Sequence, residues 1–311
     1  MPLFIDTINT FIPIGRLVHV YLSRFLIIVL AIQYVASIYY YFTMVIPYYS
    51  ESATSLDVNA YRSLVSSYEW TDTYQNWESW SFSHQFWVVF GACIALWLWM
   101  NTIFSYFQTV RYSPLPLPPV ELTEEEIKQN RNYCQKCKII KKPATHHCSQ
   151  CGRCVENMDH HCPFTGNCVT SGKTGNFVFF FLFIFYTAAG CFLAVSTMTL
   201  PFYNCYLQRE LSPRCVAVGN MSLIYIPGLL LLFATGGFTL LHLLLAFFGR
   251  STLEFLAWLD GHDTAATAPA QQHEMIDIEH QKLQEINKLH CSPFQFLFPY
   301  AITIVPKNKP Q

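Results

Sequence analysis

Cys134-x2-Cys137, His147-Cys148-x2-Cys151-x2-Cys154, Asp159-His160-His161-Cys162-Pro163 and Cys168 follow one another within residues 134–168 and hold seven of the chain's twelve cysteines. Tetrahedral Zn²⁺ sites take four nitrogen or sulfur ligands, and a Cys-x2-Cys pair lets two thiolates reach one ion. Two Cys₃His sites use six cysteines and two histidines. One thiol, Cys162, is then left beside a spare histidine, His160, and an acid, Asp159. Those three residue types supply a nucleophile, a base and a group that orients the base. Iron–sulfur clusters draw four cysteines each and leave the histidines without a role. Zinc is therefore the expected metal, and it supplies folding energy to a short polar module with little core of its own. Spacing does not say which ligands share an ion.

Outside this module the chain is too apolar for an ordinary soluble domain: 52% hydrophobic, 16% aromatic and only 13% charged. Four stretches, 25–47, 86–107, 177–200 and 223–248, are long enough to cross a bilayer as helices and contain no Asp, Glu, Lys or Arg. Tyr39, Tyr40, Tyr41, Trp97 and Trp99 belong to the aromatic complement of interfacial belts. The expected fold is an all-α membrane protein with four transmembrane helices and the Cys-rich double-zinc module between spans two and three. The division that follows is an N-terminal segment 1–24, spans one and two with their lumenal loop at 25–107, the module at 108–176, spans three and four at 177–249, and a tail at 250–311.

Orientation is read from basic residues. Sixteen of the nineteen Lys and Arg lie in the N-terminal segment, the module loop and the tail; Arg62, Arg209 and Arg214 alone lie on the other side. The positive-inside rule then puts both termini and the module in the cytosol. That compartment keeps thiols reduced, so the cluster is read as metal-binding or catalytic, not as a disulfide framework. Cys205 and Cys215 fall on the lumenal side, where they either pair or stay free. The first 24 residues lack the basic n-region and cleavage site of a secretory signal, and Phe4, Ile5, Ile8, Phe11 and Ile12 suggest a short interfacial helix. A net charge of −1 and tethering between spans argue against a nucleic-acid partner.

Smaller signals complete the reading. The run Tyr112-Ser-Pro-Leu-Pro-Leu-Pro-Pro119 predicts an extended spacer between membrane and module. Thr123-Glu124-Glu125-Glu126 predicts a short polar helix with acids in its first turn, and Ser251-Thr252-Leu253-Glu254 a capping-box start. A polar helix is expected near 272–288 and an interface-docking apolar stretch at 294–305. Asn220-Met221-Ser222 fits the glycosylation pattern but abuts the fourth span. Ala188-Ala189-Gly190 and Gly236-Gly237 leave room either for a lipid chain or for close helix packing. His242, the one ionisable residue well inside a span, reads as a packed or hydrogen-bonded side chain. No internal repeat is seen.

Asp159-His160-His161-Cys162, with the cysteine spacing around it, resembles the DHHC family of protein S-acyltransferases. The resemblance covers the module and the four-span layout; Ser251-Thr252-Leu253-Glu254 is similar to the family's TTxE motif. Pro163-Phe164 stands where Pro-Trp is usual, and Ser113-Pro114 where the family has DPG. The resemblance implies two interleaved zinc sites, one of Cys134, Cys137, His147 and Cys154, the other of Cys148, Cys151, His161 and Cys168. It implies that Cys162 takes a long fatty acyl group from acyl-CoA and passes it to a cysteine of a cytosolic or membrane-associated protein. His160 would be general base and Asp159 its orienting acid. Lys138, Lys141, Lys142 and Arg153 are the expected contacts for the phosphates of acyl-CoA, the co-substrate. The expected setting is a multi-pass protein of the endomembrane system, Golgi or endoplasmic reticulum before plasma membrane, with membrane lipid as a further partner. The rival reading is a catalytically silent, zinc-stabilised membrane scaffold.

Overall fold

The computed structural model describes residues 21, 25, 28–29, 31–75, 77–114, 117–120, 123–130, 132–172, 175–219 and 221–260. The first expected span lies partly outside them. From residue 31 it is a helix, α1 (31–50), containing a π turn at Tyr41–Val45. A short helix α2 (Val58–Ser67) follows, its N-terminus capped by the Asp57 carboxylate, which accepts from the N–H groups of Asn59 and Ala60. Then come α3 (Phe82–Arg111), α4 (Glu124–Gln129), the module, α5 (Phe177–Phe202), a π turn Tyr203–Leu207, α6 (Pro213–Val216), α7 (Ser222–Phe247) and α8 (Thr252–Leu259). Among the described residues three helices are long and apolar enough to cross a membrane: Phe82–Arg111, Phe177–Leu207 and Ser222–Phe247. The first two outrun the apolar stretches read from sequence, because polar residues such as Ser83, His84 and Gln85 simply continue the helix. The N-terminal interfacial helix at 1–20, Lys173, Asn220, and the tail elements at 272–288 and 294–305 lie outside the described residues.

The chain divides into two compact units. In the second, residues 29–102 and 184–239, Val45, Tyr48, Met198, Cys215, Val218, Met221 and Ile224 form a buried cluster. Cys205 and Cys215 are disulfide-bonded there. Arg214 bonds Glu210 through two nitrogens and lies 5.2 Å over the Tyr48 ring. An apolar cavity in this unit is lined by α1, α3, α5 and α7, among others through Tyr34, Tyr41, Leu98, Gly190, Cys191 and Gly228. A Cβ added at Gly190 would meet nothing within 4 Å, so this residue leaves space and is not a packing notch.

In the first unit the module departs from the all-α expectation. The runs Cys134–Lys138, Cys148–Gly152 and Cys162–Gly166 each make a tight turn, and a tight turn returns the chain antiparallel. The result is three β-hairpins: β1 (Tyr133–Cys134) with β2 (Ile139–Ile140), β3 (His146–Cys148) with β4 (Arg153–Val155), and β5 (Met158–Cys162) with β6 (Asn167–Thr170).

These hairpins are an internal repeat that the sequence reading missed. Cys134, Cys148 and Cys162 stand at intervals of 14 residues. Four residues after each, Lys138, Gly152 and Gly166 adopt φ of 53°, 67° and 65°. The N–H of each of these three donates to the carbonyl of its cysteine at 2.8, 2.8 and 2.9 Å. What repeats is a backbone turn; of its side chains only the leading cysteine is shared by all three copies.

The spacer does not hold the module away from the membrane as a free linker. Leu117 packs on Cys134, Ile139 and Cys154, and the Val120 N–H donates to the Lys138 carbonyl at 2.9 Å.

Candidate active site and metal centres

The hairpins bring the cysteines and histidines into two clusters. In one, Cys134, Cys137 and Cys154 place their sulfurs 3.6, 3.2 and 3.8 Å from Nδ1 of His147. In the other, Cys148, Cys151 and Cys168 lie 3.4, 3.3 and 3.6 Å from Nδ1 of His161. Zn–S and Zn–N bonds of about 2.3 and 2.0 Å put neighbouring ligand atoms of a tetrahedron ~3.6 Å apart. Both donor sets can hold a metal ion, and both fit zinc.

Register explains the interleaving. His147 pairs with Cys154 across one hairpin and His161 with Cys168 across the next. Each cluster thus joins the turn of one hairpin to the cross-strand pair of the following one. The third turn, led by Cys162, has no following hairpin: the chain enters α5 at Phe177 instead. Its second position, held by Cys137 and Cys151 in the other copies, is Thr165. Cys162 is left without metal partners for a structural reason.

Asp159, His160 and Cys162 share strand β5, with a bulge between Met158 and His160. Bulges re-aim side chains, and here Nδ1 of His160 lies 2.8 Å from Oδ2 of Asp159. The carboxylate is buried, at 4% exposure, and is held from a second direction. The Thr252 N–H donates to Oδ1 at 3.0 Å and its hydroxyl to Oδ2 at 2.7 Å. Thr252 is the first residue of α8, whose capping box runs between Ser251 and Glu254. The first N–H groups of a helix lack intrahelical acceptors, so capping aims a free donor at an anion. Leu253 packs beside it on Cys148, Val155, Met158 and Cys168.

The electrostatics follow from these contacts. Burial pushes the Asp159 carboxyl up, but the bonds from His160 and Thr252 outweigh it and hold it below the usual carboxylate range. Burial pushes His160 down, while Asp159 and the Cys162 sulfur push it up to a net value of about 9. Burial pushes the Cys162 thiol up, and the hydrogen bonds of His160 and Thr165 bring it below an ordinary thiol. The arrangement favours a thiolate beside an imidazolium backed by a carboxylate, which is a means of making a nucleophile at neutral pH.

The third hairpin is tied to the end of α3. The Thr109 carbonyl, among the last of that helix, accepts from the side-chain amides of Asn167 and Asn176, each at 2.9 Å. Asn176 also donates to the Cys168 carbonyl and accepts from the Thr170 N–H. Carbonyls at a helix C-terminus lack intrahelical donors, and two amides supply them here. Thr165, 4% exposed, donates to Asn167 at 2.7 Å. Of the expected phosphate contacts, Lys142 meets Glu156 at 3.1 Å and Arg153 donates to Ser113 at 3.2 Å. Lys138 is exposed at its hairpin turn and Lys141 half-buried.

Sequence reasoning gave no role to Thr165, Asn167 or the Asn176–Thr109 bond. The 14-residue interval between leading cysteines was the signal that points to Thr165. No local signal marks the asparagines, whose acceptor lies 58 and 67 residues away.

No curated protein matches the chain closely enough to count as a relative. Residues 127–259 match the family model described as DHHC palmitoyltransferase, which spans all three hairpins, α5, α7 and α8. With its two Cys₃His clusters, apolar helices and Asp159-His160-His161-Cys162 strand, the chain carries at residues 127–259 a domain that is similar to the DHHC palmitoyltransferase family.

Proposed function

We propose that the protein is a protein-cysteine S-acyltransferase that moves a long-chain fatty acyl group, palmitoyl in the first instance, from acyl-CoA to protein thiols. One observation carries the reading: Cys162 stands outside both metal clusters and beside the Asp159–His160 pair. Its thiolate attacks the thioester carbonyl of acyl-CoA, forming acyl-Cys162. The carbon–sulfur bond to CoA breaks, and the departing sulfur takes the proton from His160. A protein cysteine then gives its proton to His160 and attacks acyl-Cys162, releasing the Cys162 thiolate. Both steps exchange one thioester for another, so the contribution of the protein lies in positioning and in thiolate generation. Cys134, Cys137, His147 and Cys154 would hold one zinc ion and Cys148, Cys151, His161 and Cys168 the other, and bound zinc would supply rigidity to the module.

The acyl chain is assigned to the apolar membrane-spanning helices; burying sixteen carbons is worth on the order of 12 kcal/mol at ~0.8 per CH₂. Exposed Lys138 and half-buried Lys141 are proposed to meet the phosphates of CoA, with Lys142 and Arg153 joining by exchanging their present partners. The proposed topology has four spans, with both termini and the module cytosolic. The basic residues support it, and so does the Cys205–Cys215 disulfide in the segment assigned to the oxidising side. Golgi or endoplasmic reticulum membranes are the proposed location, and cysteine-bearing proteins at their cytosolic face the proposed substrates.

The test is incubation of the purified protein with labelled palmitoyl-CoA, wild type beside Cys162→Ser. A label on the wild type, released by hydroxylamine and absent from the variant, is the expected result. An equally labelled variant, or loss of a zinc equivalent from it, would sink the reading.

A further inference from the structure

We infer that His242 is a positioning residue for acyl transfer: its ring fixes the plane of the His160 imidazole. The inference rests on the assignment of His160 to the reaction proposed above. His242 lies within α7 among Leu240, Leu241, Leu243 and Leu244, and is 1% exposed. An ionisable side chain in such a helix is costly and faces the protein interior. What it faces is the reactive pair. Its ring lies 5.7 Å from that of His160 at an interplanar angle of 29°, an offset stack. Its ring nitrogen, that of His160 and an Asp159 oxygen all lie within 4.8 Å of one another.

The physical need is specific. The hydrogen bond that His160 Nδ1 donates to Asp159 restrains one edge of a ring that turns about its Cα–Cβ and Cβ–Cγ bonds. A turn about these bonds sweeps the opposite nitrogen away from Cys162. Groups against the ring faces add the restraint that a single hydrogen bond at one edge does not supply. Phe180 meets His160 edge-on at 4.8 Å and 68°, and His242 covers it as a flat partner. His242 is itself held edge-on by Phe177 at 5.6 Å and Phe180 at 5.3 Å. The same stretch of chain therefore grips both members of the pair, Thr252 on the carboxylate and His242 on the imidazole. Flatness at position 242 is what this role requires, more than a nitrogen atom.

The experiment is single-turnover formation of acyl-Cys162 from labelled palmitoyl-CoA by the full-length protein, with zinc per chain measured on each variant. His242→Leu, similar in volume but not flat, should slow the acylation rate constant about three- to tenfold, the size of one aromatic stacking interaction. Its dependence on palmitoyl-CoA concentration and its two zinc ions should be unchanged. His242→Phe should recover most of the rate and His242→Gln should not. A wild-type rate in His242→Leu overturns the inference, as does a raised requirement for palmitoyl-CoA with the rate constant intact. If His242→Leu loses zinc, the other pair decides: Phe faster than Gln supports the role, and Phe no faster than Gln overturns it. Failure of the wild type itself to acylate would strike the proposed function instead, and so is distinguishable.

Discussion

Thr252 donates both its backbone N–H and its hydroxyl to the Asp159 carboxylate, at 3.0 and 2.7 Å, from the first turn of a helix that begins 93 residues later in the chain. The contact makes the Ser251-Thr252-Leu253-Glu254 motif intelligible. Ser251 and Glu254 cap the helix; Thr252 uses the resulting free end to hold the acid that holds His160. Thr252→Val keeps the N–H and loses the hydroxyl. A hydrogen bond to a charged group is worth about 1.5–3 kcal/mol, so acyl-enzyme formation should slow by about tenfold or more. Thr252→Ser should restore it. An unaltered rate in the valine variant would show that the hydroxyl is not needed to place Asp159.

His160→Ala carries a pH signature. In the wild type the thiol lies below its usual range because His160 stands beside it, so the rate should vary little through neutral pH. In the variant the chief opposing influence is gone while burial remains, and the thiol moves above its ordinary value of about 8.5. Acylation should therefore be slow at pH 7 and climb about tenfold per pH unit toward the new value. The wild type should behave oppositely at the alkaline end: His160 loses its proton near pH 9, and the departing CoA sulfur then lacks a donor. A variant rate that does not change with pH would remove His160 from the reaction.

Each metal cluster joins two hairpins, so the clusters should fail separately in metal content and together in function. Cys134→Ala should lose one zinc equivalent and Cys151→Ala the other, measured per chain by elemental mass spectrometry. Structural zinc contributes about 10–16 kcal/mol of apparent binding free energy to small domains, so either loss should unfold its pair of hairpins and abolish acylation. Retention of both ions by either variant would mean that its sulfur is not a ligand.

The two Cys₃His sets were legible because their chemistry is tied to residue type: Cys and His suit zinc, and counting them leaves Cys162 over. The three long apolar helices were legible because a bilayer demands length and apolarity. The hairpins were not, since a two-residue strand has no hydrophobic period to read. The repeat was hidden because Lys138, Gly152 and Gly166 share a φ and a hydrogen bond, not a side chain. The bonds from Asn167 and Asn176 to Thr109 and the stack of His242 on His160 join elements far apart in sequence, where only folding brings partners together.

Thr165 marks the difference between the two turns that could hold a metal and the third, which carries the proposed nucleophile. It occupies the position of Cys137 and Cys151 in a turn with the same backbone, and its hydroxyl lies between Asn167 and the Cys162 thiol. Thr165→Cys would place a second sulfur on the Cys162 turn, as in the other two copies. Paired thiolates select soft ions, so cadmium is the appropriate probe. The variant should bind a third cadmium per chain, and acylation should then fall at least about tenfold because the Cys162 thiolate is engaged. With two sulfurs in place of four full ligands, this ion should leave to a chelator before the others do, and activity should return with its departure. Thr165→Val, which adds no sulfur, should bind no third ion. A cysteine variant that holds two ions only, and acylates normally in cadmium, would show that the third turn is not a metal-binding turn lacking one ligand.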